Sequence, residues 1–316
     1  MGGNIICVGT AIVDIPLYPV TENDLHDISH PLEDISMKVG GDALNESIII
    51  SRLGNKVSLL SAVGSDAPGY FIKGTAKKNG VNTEYLNINP KLKTSINIGM
   101  TRPNGDRTFF TNKNGSLWKM SINDIDISAI NDAKILSFAS IFNNPLFKED
   151  EIRKIFISAK QKGMIICADI VKSRNGESLN DIKSCLSYID YFFPNYDEAF
   201  ELTGESDVSK QADIFLNLGV KNIVIKTGKK GCFIKNNTIS KSIPAYKLPA
   251  GTPLDTTGAG DNFAAGFISK LNEGGNFEEC AKFGTAVAAI SVTGLGATAS
   301  VKSKKQVEDF MQIIKQ

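Results

Sequence analysis

The sequence predicts a single α/β domain, built on a mainly parallel central sheet, with a small β-sheet lid inserted in its N-terminal third. Three observations carry this expectation. From about residue 130 onward, apolar β-rich runs alternate with longer amphipathic stretches, as β-α units around a buried parallel sheet require. The first third instead holds short alternating runs with turn residues between them, the pattern of a separate small sheet. No internal repeat, low-complexity linker or run of like charges divides the 316 residues further.

The elements follow in order. Residues 5–9 (IICVG) read as the first strand of the main sheet, 57–63 as another, and 43–53 as a helix covering them. Residues 12–20, 35–39, 95–102 and 107–111 are the lid strands, with Pro103-Asn104-Gly105-Asp106 turning the chain between the last two. Later strands are expected at 134–138, 164–169, 188–194, 222–227 and 231–235. Helices are expected at 149–163, 196–203, 209–218, 260–272, 277–292 and 303–315. The strand ends at Asp169 and Pro194 matter most, because open α/β sheets bind ligands beyond the carboxyl ends of their strands.

Composition narrows the function classes. Lys and Arg number 35 against 34 Asp and Glu, and this net charge of +1 offers no electrostatic reason to expect nucleic acid or an anionic membrane as partner. A small-molecule partner is expected. The five cysteines, Cys7, Cys167, Cys185, Cys232 and Cys280, are odd in number and lack any C-x-x-C spacing, so neither a disulfide framework nor a zinc site is indicated. The N-terminal apolar run has no basic flank and is broken at Asp14, and no stretch of about 18 apolar residues follows, so a cytoplasmic location is the expectation.

The strongest motif is Asp255-Thr256-Thr257-Gly258-Ala259-Gly260-Asp261-Asn262-Phe263-Ala264-Ala265-Gly266-Phe267, a Gly-rich turn running into an apolar helix. Small residues at 258–260 let amide groups face open space at a helix N-terminus, where the dipole favours an anion such as a transferring phosphoryl group. Asp261 in the first helical turn is placed to take the proton of a hydroxyl held in the same space. Taken alone, a Gly-x-Gly-Asp is also an ordinary helix start.

The longer string resembles the C-terminal signature of the ribokinase-like (PfkB) carbohydrate kinases, D-T-x-G-A-G-D before a small apolar helix. Gly40-Gly41-Asp42-Ala43-Leu44-Asn45, followed by Arg52-Leu53-Gly54, is similar to that family's other signature, and Asn195-x-x-Glu198 to its N-x-x-E. All three come in the family's order, and the resemblance spans essentially the whole chain. It implies a ribokinase-like three-layer α/β/α sandwich that binds ATP and Mg²⁺.

Carried onto these residues, the resemblance implies Asp261 as catalytic base, with the Gly258, Ala259 and Gly260 amides as the anion hole. It places Asp14, Gly40, Gly41, Asp42 and Asn45 on the substrate side. Asn195 and Glu198 would organise Mg²⁺ and the phosphates, Glu198 through water, since Mg²⁺ sheds its own waters reluctantly. Thr227, Gly228 and Gly231 in Lys226-Thr227-Gly228-Lys229-Lys230-Gly231 resemble the nucleotide-side loop, and Thr285 falls on the adenine-side helix. Asp255 and Ser300 are the implied contacts of a monovalent cation, K⁺.

Two features bear on the substrate. Gly40-Gly41-Asp42-x-Leu44-Asn45 and Gly105-Asp106-Arg107-Thr108-Phe109-Phe110, with Lys113-Asn114 beyond, resemble strings of 2-keto-3-deoxygluconate kinases. Lys113 stands where those enzymes place an Arg that could face a substrate carboxylate, and Arg107 is a second candidate. A point ammonium lacks the planar bidentate grip of a guanidinium, so a neutral ketose or pentose stands beside the sugar acid. A nucleoside kinase, and a catalytically silent sugar-binding regulator of the same fold, are the rival functions. A lid sheet with one exposed face is expected to pair with a second copy, giving a homodimer.

Overall fold

In the computed structural model, residues 4–32, 35–104, 106–129, 133–248, 252 and 255–314 are described. The N-terminal portion runs β1 (Asn4–Gly9), β2 (Ile12–Leu17), β3 (Lys38–Gly40), α1 (Asp42–Arg52), β4 (Val57–Gly64), α2 (Ala67–Lys78), β5 (Leu86–Asn89), β6 (Ile96–Thr101), β7 (Arg107–Thr111) and α3 (Ser116–Lys119). It continues through β8 (Ala133–Ile141), α4 (Glu149–Gln161), β9 (Ile165–Ile170), α5 (Lys183–Leu186), β10 (Tyr191–Phe192), α6 (Tyr196–Thr203), α7 (Val208–Asn217) and β11 (Asn222–Lys226). The last elements are β12 (Cys232–Lys235), β13 (Ser240–Ile243), α8 (Ala259–Asn272), α9 (Phe277–Ser291) and α10 (Lys304–Ile313).

Nine strands form one sheet in the order β13-β12-β11-β10-β9-β8-β1-β4-β5, parallel from β11 to β5 and antiparallel at β12 and β13. The alternation along β1 shows why its sequence is apolar throughout. Ile5 and Cys7 enter a core shared with α1, α8 and α9, whereas Ile6 and Val8 enter a second core shared with α4 and α7. A strand buried on both faces has no polar side to show. The three layers expected from the sequence are present.

A second sheet, in the order β3-β2-β6-β7, gathers the short strands of the first third. Its boundaries are tighter than the sequence suggests: β2 stops at Leu17, and beyond Pro19, which has no N–H to give, only Val20 N returns to β6, donating to Thr101 O at 3.0 Å. The expected strand at 188–194 shrinks to Tyr191–Phe192, because Tyr188 and Ile189 donate to Cys185 and Leu186 and so end a helical turn. Five elements, α2, α3, α5, β5 and β13, have no counterpart among those expected from the sequence. In the turn after β6, Arg102 N donates to Asp106 O at 2.8 Å. Gly105 of that turn lies outside the described residues, as does Lys315 of the expected last helix.

The order of the parallel strands reverses between β1 and β8: the chain steps outward through β4 and β5 on one side and through β9, β10 and β11 on the other. The crevice beyond the carboxyl ends at such a reversal is where an α/β sheet receives ligands.

Candidate active site

Two helices begin at that crevice. Gly41 starts α1 with φ of 91°, and a Cβ there would lie 2.6 Å from Thr10 O, so only glycine lets α1 start this close to the end of β1. The first turns of α1 then carry Asp42, Asn45 and Glu46 on neighbouring positions of one face. Gly258 starts α8 with φ of 72°. Asn262 fastens that start by donating to Gly258 O at 2.8 Å and to Ala297 O at 2.7 Å.

The two helix starts meet: Asn45 Nδ2 donates to Asp261 Oδ2 at 2.8 Å. Asp261 is half-buried at this meeting point. Burial foremost, then the Asp42 charge, pushes its carboxyl well above the usual range, and the bond from Asn45 opposes that rise. A base whose affinity for a proton is raised in this way is suited to draw one from a hydroxyl. The turn before it positions the Ala259 amide on Thr256 O at 3.2 Å.

The loop beside this helix start is strapped in place. Asp255 accepts from Thr257 N and Gly296 N, both at 2.8 Å. Arg52, the arginine that closes α1, donates through Nη1 to Thr298 O and to Val301 O, the latter at 2.9 Å. Its Nε and Nη2 reach Asn79 Oδ1 at 3.0 and 2.8 Å. Ser300 lies in the strapped loop, its carbonyl accepting from Gln306 at 3.1 Å.

On the opposite side, Asn195 and Glu198 cap α6 reciprocally: Asn195 Oδ1 accepts from Glu198 N at 2.9 Å and Glu198 Oε2 from Asn195 N at 2.7 Å. Burial lifts the Glu198 carboxyl to about 7, with Lys226 opposing and Asp169 adding. Thr227, Gly228 and Gly231 form the tight turn between β11 and β12, where Thr227 N donates to Gly231 O at 2.8 Å. Thr285 is buried in α9 with its hydroxyl on Ala281 O at 2.8 Å.

Of the substrate-side candidates, Asp14 sits on β2 opposite Lys38 of β3 and Asn97 of β6, and Gly40 ends β3 opposite Ile12. Burial foremost raises the Asp14 carboxyl to about 6. Asp42 Oδ2 accepts from Ser140 Oγ at 2.7 Å and Asn143 Nδ2 at 2.8 Å. Lys113 is exposed on the loop after β7, and the Arg107 side chain lies outside what is described.

Several residues beyond the motifs are brought here by the fold. Arg174, just past β9, donates through Nη2 to Asn143 Oδ1 at 2.9 Å and lies 5.6 Å over the Trp118 ring. It is thereby linked through Asn143 to Asp42. Lys226, at the end of β11, donates to both oxygens of Asp169 at 2.8 and 2.6 Å. Glu46 is fully buried and accepts from Ser137 Oγ at 2.5 Å. Their signal was available in part: Asp169, Arg174 and Lys226 all follow or end parallel strands, where ligand contacts collect.

A fold of this topology, with a carboxylate at a Gly-rich helix start, is that of the sugar-kinase class of phosphotransferases. The model of the pfkB family of carbohydrate kinases matches residues 3–304, and the chain belongs to this family. It is 28% identical to a ribokinase of Haemophilus influenzae over 89% of each chain. It is 26% identical to a 5-dehydro-2-deoxygluconokinase of Photobacterium profundum, covering 97% of this chain and 94% of the other. The solved structure of a ribokinase from Thermotoga maritima superposes with a TM-score of 0.81 at 27% identity, covering 98% of this chain and 99% of that one. Among the described residues, no helix is long and apolar enough to cross a membrane.

Proposed function

We propose that this kinase transfers the γ-phosphoryl group of ATP to a hydroxyl of a small sugar or sugar acid, with Asp261 as the base. The observation that carries the reading is the Asn45–Asp261 contact of 2.8 Å, which aims a proton-seeking carboxylate into the crevice at the start of α8. Asp14, the Gly41 backbone, Asp42 and Asn45 hold the acceptor by its hydroxyls, and the amides at the start of α8, those of Gly258 and Gly260 together with that of Ala259 once it leaves Thr256 O, face the charge that builds on the phosphoryl oxygens. Asp261 takes the hydroxyl proton as the new O–P bond forms and ADP departs.

The oxygen donors beside the phosphates suit Mg²⁺: Glu198, with one oxygen committed to the Asn195 amide, would hold it through water, and the ion would neutralise phosphate charge. Asp255 and Ser300 are the residues through which K⁺ would act on the strapped loop.

Within this reading, a sugar acid is favoured by Arg174 rather than Lys113. Both side chains are exposed, but the Arg174 guanidinium is stacked on Trp118 and tied through Asn143 to the Asp42 network, which pre-aligns its planar fork for a carboxylate. The relative from Photobacterium, named for a deoxygluconate, accords with that choice.

The test is ADP release with ATP and Mg²⁺ across deoxyketogluconates, fructose, ribose, fructose 6-phosphate and adenosine. Turnover of a sugar acid, lost in Asp261→Asn and slowed in Arg174→Met, supports the whole reading. Turnover of a neutral sugar keeps the kinase and discards Arg174. Preferred turnover of adenosine would make it a nucleoside kinase, and ligand binding without ADP release would make it a silent regulator.

The small sheet is proposed as a lid that also pairs two copies, because Tyr18, Met37, Ile98, Phe109 and Phe110 stand exposed on or beside it. Sedimentation should show a dimer in the native chain and a monomer in Phe110→Glu.

A further inference from the structure

Lys226 is mostly covered, with 14% of its side chain exposed, and the Asp169 side chain it meets is 5% exposed. A lysine and an aspartate so placed cost desolvation, and the ordinary reason for such a pair is mutual neutralisation. Three further observations point to more than that. First, Lys226 ends β11 at the carboxyl edge of the sheet and forms a bridge with Asn195, so it stands between the Asn195–Glu198 cap and the start of α8. Second, a Cβ added to Gly260 would lie 3.2 Å from Lys226 Nζ and 3.9 Å from Asp169 Oδ2, so the ammonium reaches the backbone of the Gly-rich turn where a side chain would otherwise stand. Third, the surroundings are acidic. Burial works against the lysine's charge, but Asp169, Glu198 and Asp261 together hold it above the ordinary lysine value.

A triphosphate entering this space would meet the carboxylates of Asp42, Asp169, Glu198 and Asp261, with Glu46 buried behind them. Like charges brought together in a partly desolvated crevice repel one another strongly. A fixed cation beside the Gly260 backbone offsets that repulsion. We propose that Lys226 is a further catalytic residue, its ammonium leaving one oxygen of Asp169 to contact the transferring phosphoryl group at the start of α8. The inference rests on the phosphoryl-transfer reading above. During transfer the acceptor oxygen bonds to phosphorus, its proton passes to Asp261, and ADP leaves with the electrons of the broken P–O bond. Lys226 stays charged throughout and gives up no proton. Asp169, fixed by its own bond from Ile170 N at 2.8 Å, keeps the ammonium from collapsing onto Glu198 or Asp261.

The experiment compares the full-length native chain with Lys226→Met, Lys226→Arg and the double variant Lys226→Met/Asp169→Asn. Calorimetry measures binding of ATP and of ADP, steady-state kinetics measure turnover, and melting curves report folding. The expected result for Lys226→Met is ATP binding about tenfold weaker with ADP binding little changed, and kcat about a hundredfold lower, the scale of losing one donor to transition-state charge. The double variant, which removes both charges, should stay as slow, with Lys226→Arg in between. Were Lys226 present only to neutralise Asp169, the double variant would recover wild-type ATP affinity and rate, and that recovery would overturn the proposal. Equal loss of ATP and ADP binding in Lys226→Met and Lys226→Arg would overturn it as well. If no acceptor is phosphorylated by the native chain, yet Lys226→Met loses ATP and retains ADP, the Lys226 contact stands and the transfer reading falls.

Discussion

Asn45 and Asp261, 216 residues apart, are joined by a hydrogen bond of 2.8 Å from Nδ2 to Oδ2. The bond fixes the rotamer of the carboxylate and stabilises its charged form, which burial and the Asp42 charge oppose. Asp261→Asn keeps the shape and removes the base, so kcat should fall by about 10² to 10⁴ with the melting temperature nearly unchanged. Asn45→Ala should cost less, about tenfold, and act through orientation.

Asp42 is the largest electrostatic cause, after burial, of the raised Asp261 pKa. Its negative charge disfavours a second one nearby, so Asp42→Asn should lower the Asp261 pKa. The acid limb of the kcat/KM profile then moves to lower pH, because the base stays ionised further down. A limb that holds its position, or rises, would contradict this assignment.

Asp14 has a pKa of about 6 in the fold against an ordinary 3.8, with burial the leading cause. Between those values the folded chain keeps a proton that the unfolded chain releases, so this group's contribution to stability is complete below the lower value and disappears as pH rises through the upper one. Asp14→Asn should therefore flatten the decline of melting temperature between pH 4 and 6 (about two pH units, the span of the shift). It should also raise the melting temperature at pH 8, roughly two units above the folded pKa. The same substitution should raise KM for the acceptor, since the carboxylate is assigned to a substrate hydroxyl.

Arg52 reaches two carbonyls of the loop after α9 and the side chain of Asn79. Arg52→Ala leaves those acceptors without their donor and should destabilise the fold by about 1–3 kcal/mol. Because the loop abuts Gly258 through Ala297, turnover should fall more than stability alone predicts. Chemical denaturation and kinetics on one preparation separate the two effects.

Much of this could be read along the chain. The apolar runs of β1, β4, β8 and β9, the amphipathic α4 and α7, and the Gly-rich start of α8 are local patterns set by side-chain periodicity and backbone sterics. The signature strings around Asn45, Glu198 and Asp261 were likewise legible. The two-residue β10 was not, because its length is decided by where the turn at Ser187 releases the backbone and by its neighbours β9 and β11.

By itself, then, the sequence determined the layered α/β architecture, the helix starts and the place of the Asp261 carboxylate at one of them, because each depends on residues near one another in the chain. Only the tertiary structure decided which charges share the crevice. Lys226 meets Asp169 across 57 residues and Arg174 meets Asn143 across 31. Asp42 raises the pKa of Asp261 from another helix. Those pairings arise because parallel strands deliver their carboxyl ends to one edge, where burial removes the water that would otherwise screen each charge from the next.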